Sequence, residues 1–282
     1  MKIAIIGGSG FVGQNLITYF LKKNIRIFAT YNSNNKIKNK FSNVIWRKLD
    51  IKKDKKNFFK YLGSPDIVLN LAWSDIPNYN LKKQFKNLFY QKKFNYNLIK
   101  NGLKNLIILG TCYEYGNVTG RVTEDTKEKP VTPYAISKLR LLKSILKLKN
   151  KKNFKFTWLR AFFVYGINKK RQTLFSLINN LEKRKIDKLK VCGNLVRDFV
   201  SINFLCSVLA KVTLLDKDLG ILNVSSGKGI LLQDFIKKIL KNKKNLKKIN
   251  MNGKNPNSFE PKSFWGDNTK LKKVLNKLNY NI

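Results

Sequence analysis

The chain contains no histidine and few acidic residues. Its 282 residues include 58 lysines and arginines against 16 aspartates and glutamates, which gives a formal net charge of +42. Without histidine, the protein can have neither a histidine acid–base catalyst nor a histidine metal ligand. The three cysteines, Cys112, Cys192 and Cys206, show no C-x-x-C spacing, so we expect no metal site and no redox pair.

Long apolar segments are also absent from the sequence. No apolar run approaches the roughly 20 residues that a membrane-spanning helix needs. A predicted strand begins at residue 2 and glycines follow it, which is unlike a signal peptide. We therefore expect a cytoplasmic protein without a membrane span.

The excess of positive charge has two explanations. A strongly basic protein can bind nucleic acid or an anionic membrane. Here lysine, asparagine and isoleucine are abundant together, as an A/T-rich genome favours, and the lysines are scattered over the predicted helices. We therefore do not expect nucleic acid as a partner, although the positive field should attract anionic nucleotides.

A glycine-rich turn near the N-terminus is the first motif. It follows an apolar strand predicted over Lys2–Ile6 and precedes an amphipathic helix predicted over Phe11–Lys22. Strand, glycine turn and helix form the context of a dinucleotide-binding fingerprint, in which the backbone approaches a pyrophosphate at a helix N-terminus. The residues expected to contact the dinucleotide in this turn are Gly7, Gly10, Phe11, Val12 and Gly13.

The second motif is the sequence Tyr-Ala-Ile-Ser-Lys from Tyr134 to Lys138. A four-residue spacing on a helix places both side chains on one face. The ammonium of Lys138 should then favour the phenolate and lower the pKa of Tyr134 from its usual value of about 10. Such a phenol can exchange a proton with a sugar hydroxyl, so the pair predicts acid–base chemistry.

Further motifs follow in a consistent order along the chain. They are Asp50-Ile51 after a strand predicted over Val44–Lys48, Asn70-Leu71-Ala72, Thr111 five residues before Gly116, Thr132-Pro133-Tyr134, Leu159-Arg160 and Tyr165-Gly166, Arg197-Asp198-Phe199, and Leu222-Asn223 with Gly227. Together with the Gly-x-x-Gly-x-x-Gly turn, they make essentially the whole chain resemble the extended short-chain dehydrogenase/reductase family. The resemblance is to its nucleotide-sugar epimerases, dehydratases and reductases.

The resemblance implies an α/β fold with a Rossmann-type doubly wound parallel sheet and a smaller C-terminal substrate-binding lobe. Alternating strand-like and helix-like segments up to about Tyr165 predict the same parallel sheet with helices on both faces. We place the dinucleotide-binding domain at residues 1–166, rejoined by about 195–225. The substrate-binding lobe is expected mainly at residues 167–282.

The resemblance also assigns roles to the site residues. It implies that Tyr134 moves the proton on a sugar oxygen, Thr111 hydrogen-bonds that oxygen, and Lys138 holds the nicotinamide ribose. Additional cofactor contacts are expected at Asn32, Asp50, Ile51, Leu71 and Ala72, and also at Tyr134. Substrate contacts are expected at Trp73, Cys112, Tyr113 and Arg197, with Arg197 meeting the diphosphate. Trp73 is equally compatible with a core position.

The form of the cofactor depends on the residues that follow the second strand. In the family an acidic residue there holds the adenosine ribose of NAD, whereas Tyr31-Asn32-Ser33 follows the strand predicted over Arg26–Thr30. The absence of an acid permits a 2′-phosphate, so we expect NADP in preference to NAD. The alternative is that Asn32 or Ser33 binds an unphosphorylated ribose.

The reaction implied is hydride transfer at a sugar carbon, with C4 favoured. The 4,6-dehydratases of the family carry Asp-Glu after the catalytic threonine, where this chain has Cys112 and Tyr113. We therefore favour a 4-ketoreductase of a nucleotide-linked deoxysugar in surface polysaccharide (O-antigen) biosynthesis, with a nucleotide-sugar 4-epimerase as the alternative. A non-catalytic RNA- or dinucleotide-binding relative is the alternative of another class, and intact Thr111, Tyr134 and Lys138 argue against it.

The oligomeric state follows from the same resemblance. Helices predicted over about Leu81–Asn101 and Pro133–Leu148 correspond to those of the four-helix dimer interface in the family. We therefore expect a homodimer, which repulsion between the lysines on these helices would oppose.

Overall fold

The computed structural model of the protein describes residues 1–33, 35–53, 55–167, 173–255 and 259–276. The strands are β1 (Lys2–Ile6), β2 (Arg26–Tyr31), β3 (Ile45–Lys48), β4 (Ile67–Asn70), β5 (Asn105–Thr111), β6 (Gly120–Val122), β7 (Lys155–Ala161), β8 (Phe163–Tyr165), β9 (Leu189–Lys190), β10 (Val196–Arg197), β11 (Phe199–Ser201), β12 (Gly220–Val224), β13 (Ile230–Leu231), β14 (Ile249–Asn250) and β15 (Ser263–Gly266). The helices are α1 (Phe11–Phe20), α2 (Phe58–Tyr61), α3 (Gln84–Lys100), α4 (Pro133–Lys149), α5 (Leu174–Glu182), α6 (Ile202–Leu215), α7 (Leu232–Ile239) and α8 (Thr269–Asn276). Short 3-10 helices span Asn35–Lys40, Cys112–Glu114 and Lys243–Lys248.

The chain divides into two compact units. The first comprises residues 1–114, 130–160 and 203–222, and the second comprises residues 115–129, 161–202 and 223–282. The segments 115–129 and 161–166 belong to the second unit, whereas the boundary expected from the sequence lies at residue 166.

The first unit is built on a sheet with the strand order β12-β7-β5-β4-β1-β2-β3. The interior strand β1 pairs in parallel with β2 on one side and with β4 on the other. Four consecutive residues of β1, from Ile3 to Ile6, are almost completely buried, as expected for a strand covered on both faces. The predicted Rossmann-type parallel sheet is therefore confirmed.

The strand order fixes where a ligand can bind to this sheet. The chain crosses from one side of β1 to the other between β3 and β4, which is a topological switch point. Ligands of open parallel sheets bind beyond the carboxyl ends of the strands at such a point. Residues that directly follow β1, β4 and β5 are thus the candidates for a functional site.

The start of α4 is fixed by local sequence. Thr132 is the N-cap residue, and its side chain accepts a hydrogen bond from the backbone N–H of Ala135 at 3.2 Å. Pro133 occupies the first turn, where its missing N–H costs nothing. These two residues place Tyr134 in the first turn of α4, and Lys138 follows one turn later.

The second unit contains smaller sheets around its own apolar core. Four strands pair in the order β13-β10-β15-β6, and β8 pairs in parallel with β11. The fully buried Asp198 accepts backbone N–H hydrogen bonds from Ser226, Gly227 and Gly266 at 2.7, 3.2 and 3.2 Å. Burial raises the pKa of Asp198, and these hydrogen bonds act in the opposite direction.

Two kinds of feature are absent from the described residues. No helix in the described ranges has both the length and the hydropathy needed to cross a membrane. Within the same ranges, no group of three or more acidic or cysteine side chains is arranged to hold a metal ion.

Candidate active site

The glycine turn lies at the carboxyl end of β1. Gly7 has a φ of +83°, and its N–H donates to Thr30 Oγ1 at 2.9 Å. A Cβ atom on Gly13 would lie 2.4 Å from the carbonyl oxygen of Gly7, so only glycine allows α1 to start so close to the strand. Gly10, the N-cap residue of α1, supplies no side-chain hydrogen bond to the helix.

These features fit a dinucleotide. The start of α1 follows a tight glycine turn and has no side-chain cap. Such a helix start offers backbone N–H groups and a partial positive charge to a pyrophosphate. The residues available to hold it are the predicted Gly7, Gly10, Phe11, Val12 and Gly13. Their role as cofactor ligands stays a prediction.

The segment Leu71–Ala72 lies against the glycine turn. The N–H of Leu71 donates to the carbonyl oxygen of Ile6 at 3.0 Å, and a Cβ on Gly7 would be 3.1 Å from Ala72 Cα. The structure therefore brings these two predicted cofactor segments together at the ends of β1 and β4.

The remaining predicted cofactor residues follow the neighbouring strands. Asn32 follows β2 directly and is exposed, and Asp50 and Ile51 come just after β3, which pairs in parallel with β2. The carboxylate of Asp50 accepts a hydrogen bond from the backbone N–H of Lys52 at 3.0 Å, which fixes the local turn.

Thr111 and Tyr134 are brought together by β5 and α4. Both side chains are largely buried, and a side-chain hydrogen bond joins them. The Tyr134 ring packs against Trp73 and Tyr79, with centroid distances of 5.9 and 5.3 Å. The backbone N–H of Tyr134 donates to the carbonyl oxygen of Tyr79 at 3.0 Å.

The expected lowering of the Tyr134 pKa is wrong for this structure. Burial raises the pKa of Tyr134 far above its usual value, and Tyr79 adds to the effect. The hydrogen bond from Thr111 acts in the opposite direction but does not reverse it. At neutral pH the phenol of Tyr134 is therefore protonated.

Lys138 is buried on the same face of α4. Its Nζ donates to the carbonyl oxygen of Leu109 at 2.7 Å and lies 4.3 Å from the ring centroid of Trp73. Burial lowers the pKa of Lys138 to about 8, against an opposing effect of Glu114. Lys138 can therefore change its charge within a physiological pH range.

Glu114 forms a buried cluster beside Thr111. Its Oε1 accepts the backbone N–H of Thr111 at 2.9 Å, and its Oε2 accepts Nε of Arg160 at 2.8 Å. The indole Nε1 of Trp158 donates to both carboxylate oxygens at 3.0 Å. The side chains of Glu114 and Arg160 are both fully buried, so they form an ion pair inside the first unit.

The residues predicted to bind substrate in the first unit surround Tyr134. The Trp73 ring contacts the ring of Tyr134 and the ammonium group of Lys138, and its Nε1 donates to Gln84 Oε1 at 2.7 Å. Tyr113 packs edge-on against Tyr79 with a centroid distance of 5.0 Å. Cys112 is buried beside Thr111 at the start of the 3-10 helix. Their contact with a substrate stays a prediction.

Arg197 is buried in the second unit, where it pairs with an acid. Its Nε and Nη2 donate to Glu260 Oε2 at 3.1 and 2.9 Å, and its Nη1 donates to the carbonyl oxygens of Val196 and Lys262. Its guanidinium also lies 5.3 Å from the ring centroid of Phe163. Binding of a diphosphate by Arg197 would therefore require rearrangement of its pair with Glu260.

Sequence reasoning missed several residues around the site. The sequence motifs assign no role to Glu114, Trp158, Tyr79 or Gln84. One signal was available for Arg160 and Glu114: each charge stands in a largely apolar segment, where it needs a buried partner.

The site and fold define an enzyme of the extended short-chain dehydrogenase/reductase class. The defining features are the parallel sheet, the glycine turn at its switch point and the Thr–Tyr–Lys group. The chain belongs to the NAD dependent epimerase/dehydratase family, whose model matches residues 3–223. The family resemblance noted in the sequence is thereby confirmed.

Known proteins similar to this chain agree with that assignment. A dTDP-6-deoxy-L-talose 4-dehydrogenase (NAD(+)) of Aggregatibacter actinomycetemcomitans is 24% identical over 272 residues, covering 94% of this chain and 99% of the relative. A GDP-6-deoxy-D-talose 4-dehydrogenase of the same organism is 27% identical over 221 residues, covering 75% of this chain and 70% of the relative. The UDP-glucose 4-epimerase of Thermotoga maritima shares the fold, with a TM-score of 0.79, 19% identity and coverage of 97% and 92%.

These comparisons bear on the cofactor. The family description and the first of these relatives both name NAD. The missing acid after β2 led to an expectation of NADP. The comparisons do not support that expectation.

Proposed function

We propose that the protein is an NAD-dependent 4-ketoreductase of a nucleotide-linked 6-deoxyhexose. The observation that carries the proposal is the buried, protonated phenol of Tyr134, hydrogen-bonded to Thr111. A protonated phenol is the form that donates a proton to a carbonyl oxygen, so the resting site is prepared for reduction. The names of the two relatives, both 4-dehydrogenases of nucleotide-linked 6-deoxytaloses, support the substrate class.

The chain's own residues perform the proton chemistry. Thr111 and Tyr134 hold the carbonyl oxygen of the sugar between their hydroxyl groups, and Tyr134 transfers its proton to that oxygen as the alcohol forms. Lys138 would hold the ribose hydroxyls of the bound dinucleotide, and its positive charge stabilises the phenolate left on Tyr134. When bound, the reduced dinucleotide supplies the hydride for the sugar carbon.

The same observation favours a reductase over a 4-epimerase. An epimerase must first oxidise an alcohol, for which Tyr134 has to be deprotonated and act as a base. Burial by Trp73 and Tyr79 opposes that state. The rate of sugar alcohol oxidation should therefore rise with pH, whereas ketone reduction should already proceed at neutral pH.

NAD is the proposed cofactor, since the family and the relative that name a cofactor name NAD. Asn32 would then bind an unphosphorylated adenosine ribose, the alternative that the sequence left open. The second unit, with Arg197, is the proposed substrate-binding lobe. We also propose that the product serves surface polysaccharide synthesis in the cytoplasm, where NAD and nucleotide sugars are available.

The function is tested by incubating the purified protein with NADH or NADPH and a panel of nucleotide-linked 4-keto-6-deoxysugars. Oxidation of NADH in proportion to one substrate is expected. Tyr134→Phe should lower kcat by about 10²- to 10⁴-fold, the usual contribution of a general acid. Tyr61→Phe, which removes a hydroxyl that donates to Lys48 at 2.6 Å, is the matched control and should retain turnover. Isomer formation without net NADH oxidation would instead establish an epimerase.

A homodimer through α3 and α4 is a separate proposal. The α3 helix exposes aromatic side chains at Phe85, Phe89 and Tyr96, with 37, 56 and 51% of their surface accessible. Burial of such rings in an interface would outweigh the repulsion of nearby lysines. Light scattering should give a dimer that Phe89→Lys dissociates, whereas Leu214→Lys, at another exposed apolar position, leaves it intact. A wild-type monomer at physiological salt would refute the proposal.

A further inference from the structure

The cluster around Glu114 has no part in the proton transfer described above. Its hydrogen-bond donors come from two strands that are distant in the sequence: Thr111 at the end of β5, and Trp158 and Arg160 on β7. Gly110 makes room for it, because a Cβ there would lie 2.2 Å from Trp158 Nε1 and 2.8 Å from Glu114 Oε1. A carboxylate thus packs directly against the backbone of the residue expected to hold the substrate oxygen.

The same cluster reaches Lys138 through Trp158. The indole N–H of Trp158 donates to Glu114, and the Trp158 ring centroid is 5.8 Å from Lys138 Nζ. Lys138 is anchored on the carbonyl oxygen of Leu109, two residues before Thr111. One short stretch of β5 therefore holds both Thr111 and Lys138, and Glu114 lies against it.

We propose that Glu114 is a positioning residue of the active site, whose carboxylate fixes the backbone of Thr111 and supplies the buried negative charge that holds Lys138 in its ammonium form. It contacts neither substrate nor cofactor. The inference rests on the proposed function for the identity of the reaction, but its first test does not need the substrate.

The surroundings of Glu114 suit the ionised carboxylate, although its pKa lies above the usual value. Burial raises its pKa, while the charge and hydrogen bond of Arg160 and the N–H of Thr111 act in the opposite direction. Arg160 keeps its charge at all relevant pH values, and an unpaired guanidinium in the protein interior would be strongly unfavourable. Because the backbone N–H of Thr111, the indole of Trp158 and the guanidinium of Arg160 all donate hydrogen bonds to it, the carboxylate form fits its surroundings.

Four other titratable groups face this cluster or its neighbours. They are Arg160 on β7, Tyr134 on α4, Tyr79 before α3, and Cys112, which adjoins Thr111 and interacts with Tyr134. Arg160 stays positive, and burial keeps Tyr134 protonated. The Coulombic effect of Glu114 raises the pKa of Lys138, which burial has lowered to about 8. Removal of the Glu114 charge should therefore lower the pKa of Lys138 further.

The experiment measures NADH binding by nicotinamide fluorescence from pH 6 to pH 10 in the wild type, Glu114→Gln, Glu114→Asp and Asp218→Asn. Wild-type affinity should fall as the pH rises through about 8, because Lys138 loses its charge. Glu114→Gln should move that midpoint about one pH unit lower. Asp218→Asn removes an equal charge from an exposed pair with Lys149 and should leave the midpoint unchanged.

Glu114→Asp separates the two roles. It keeps the charge but withdraws the carboxylate from Thr111 by about one methylene, so the midpoint should stay within about 0.3 pH unit of the wild type. The amide of Thr111 should exchange its hydrogen at least about tenfold faster in this variant. Once a substrate is identified, kcat of Glu114→Asp should be about tenfold lower than that of the wild type, while KM changes little. The reason is that Thr111 acts on the reacting oxygen.

The outcomes are distinguishable from failure of the proposed function. If the wild type binds NADH but reduces no sugar, the proposed function is contradicted and the role of Glu114 is not. The pH midpoints of NADH binding then still test Glu114. A folded Glu114→Gln protein with a wild-type midpoint overturns the electrostatic role. If Glu114→Gln does not fold, Glu114→Asp carries the test: a shifted midpoint, or unchanged exchange at Thr111, overturns the proposal.

Discussion

Each of the two units contains a buried arginine–glutamate pair, and the two pairs differ in their surroundings. In the first unit Arg160 and Glu114 are completely buried, and the carboxylate also accepts hydrogen bonds from Trp158 and the backbone of Thr111. In the second unit Arg197 and Glu260 retain 4 and 7% side-chain exposure, and the arginine also donates to backbone carbonyl oxygens.

The difference shows how one kind of contact can serve two purposes. A fully buried pair cannot exchange its partner for water or ligand, so the Glu114–Arg160 pair acts as a permanent part of the scaffold behind Thr111. The Arg197–Glu260 pair has slight exposure, and its guanidinium can exchange a carboxylate for a phosphate of similar geometry. Of the two pairs, we therefore expect only the second to bind and release an anion.

The largest effect is expected from a substitution that removes one partner of the fully buried pair. Arg160→Met should lower the free energy of unfolding by about 3–5 kcal/mol, because it leaves the Glu114 carboxylate buried without its counter-ion. Urea unfolding followed by circular dichroism measures the loss. Arg121→Met is the matched control: its pair with Asp267 is exposed at the arginine, so the change should cost less than about 1 kcal/mol. Equal losses in the two variants would contradict the distinction.

The second pair is tested by its response to an anion. Arg197→Lys keeps a positive charge for Glu260 but loses the planar fork that binds phosphate through two hydrogen bonds. Calorimetry with dTDP as the probe should show about tenfold weaker binding, and Glu260→Gln should bind dTDP more tightly than the wild type. If both variants change only the melting temperature, Arg197 has a structural role and the predicted diphosphate contact is wrong.

The sequence was sufficient for those features whose determinants are local. The strand predicted over Lys2–Ile6 is observed with those bounds, and the helix predicted over Pro133–Leu148 ends one residue later. Thr132 and Pro133 define the start of that helix within the sequence itself, so the placement of Tyr134 and Lys138 on one face could be predicted.

Features that depend on distant residues were beyond the sequence. The side-chain partners of Glu114 are 44 and 46 residues away on β7, and no spacing rule connects them. The predicted direction of the Tyr134 pKa shift was wrong for the same reason. Trp73 and Tyr79 come from the segment between β4 and α3, and the burial they create exceeds the expected effect of Lys138. A short-range charge argument is unreliable until desolvation is known.

The comparison is sharpened by Lys138, which unlike Arg160 can lose its charge near neutral pH. In ketone reduction kcat should fall as the pH rises through about 8, since the neutral amine no longer stabilises the phenolate of Tyr134. At pH 9 the wild type should retain about a tenth of its limiting rate. Lys138→Arg should remove this alkaline limb, because the guanidinium stays protonated. An unchanged limb in the variant would assign it to another group.

The smallest expected effect concerns ionic strength, and it separates the buried pairs from the rest of the positive charge. The 58 lysines and arginines should raise the local concentration of an anionic substrate, and salt screens such exposed charges within about 8 Å at physiological ionic strength. Raising the salt from 0.05 to 0.5 M should therefore weaken dTDP binding about threefold in the wild type. Charges inside the Glu114–Arg160 pair are not accessible to ions, so the pH midpoint set by Lys138 should move by less than about 0.3 unit over the same range. A large shift of that midpoint with salt would mean that exposed lysines, rather than the buried carboxylate, set the charge state of Lys138.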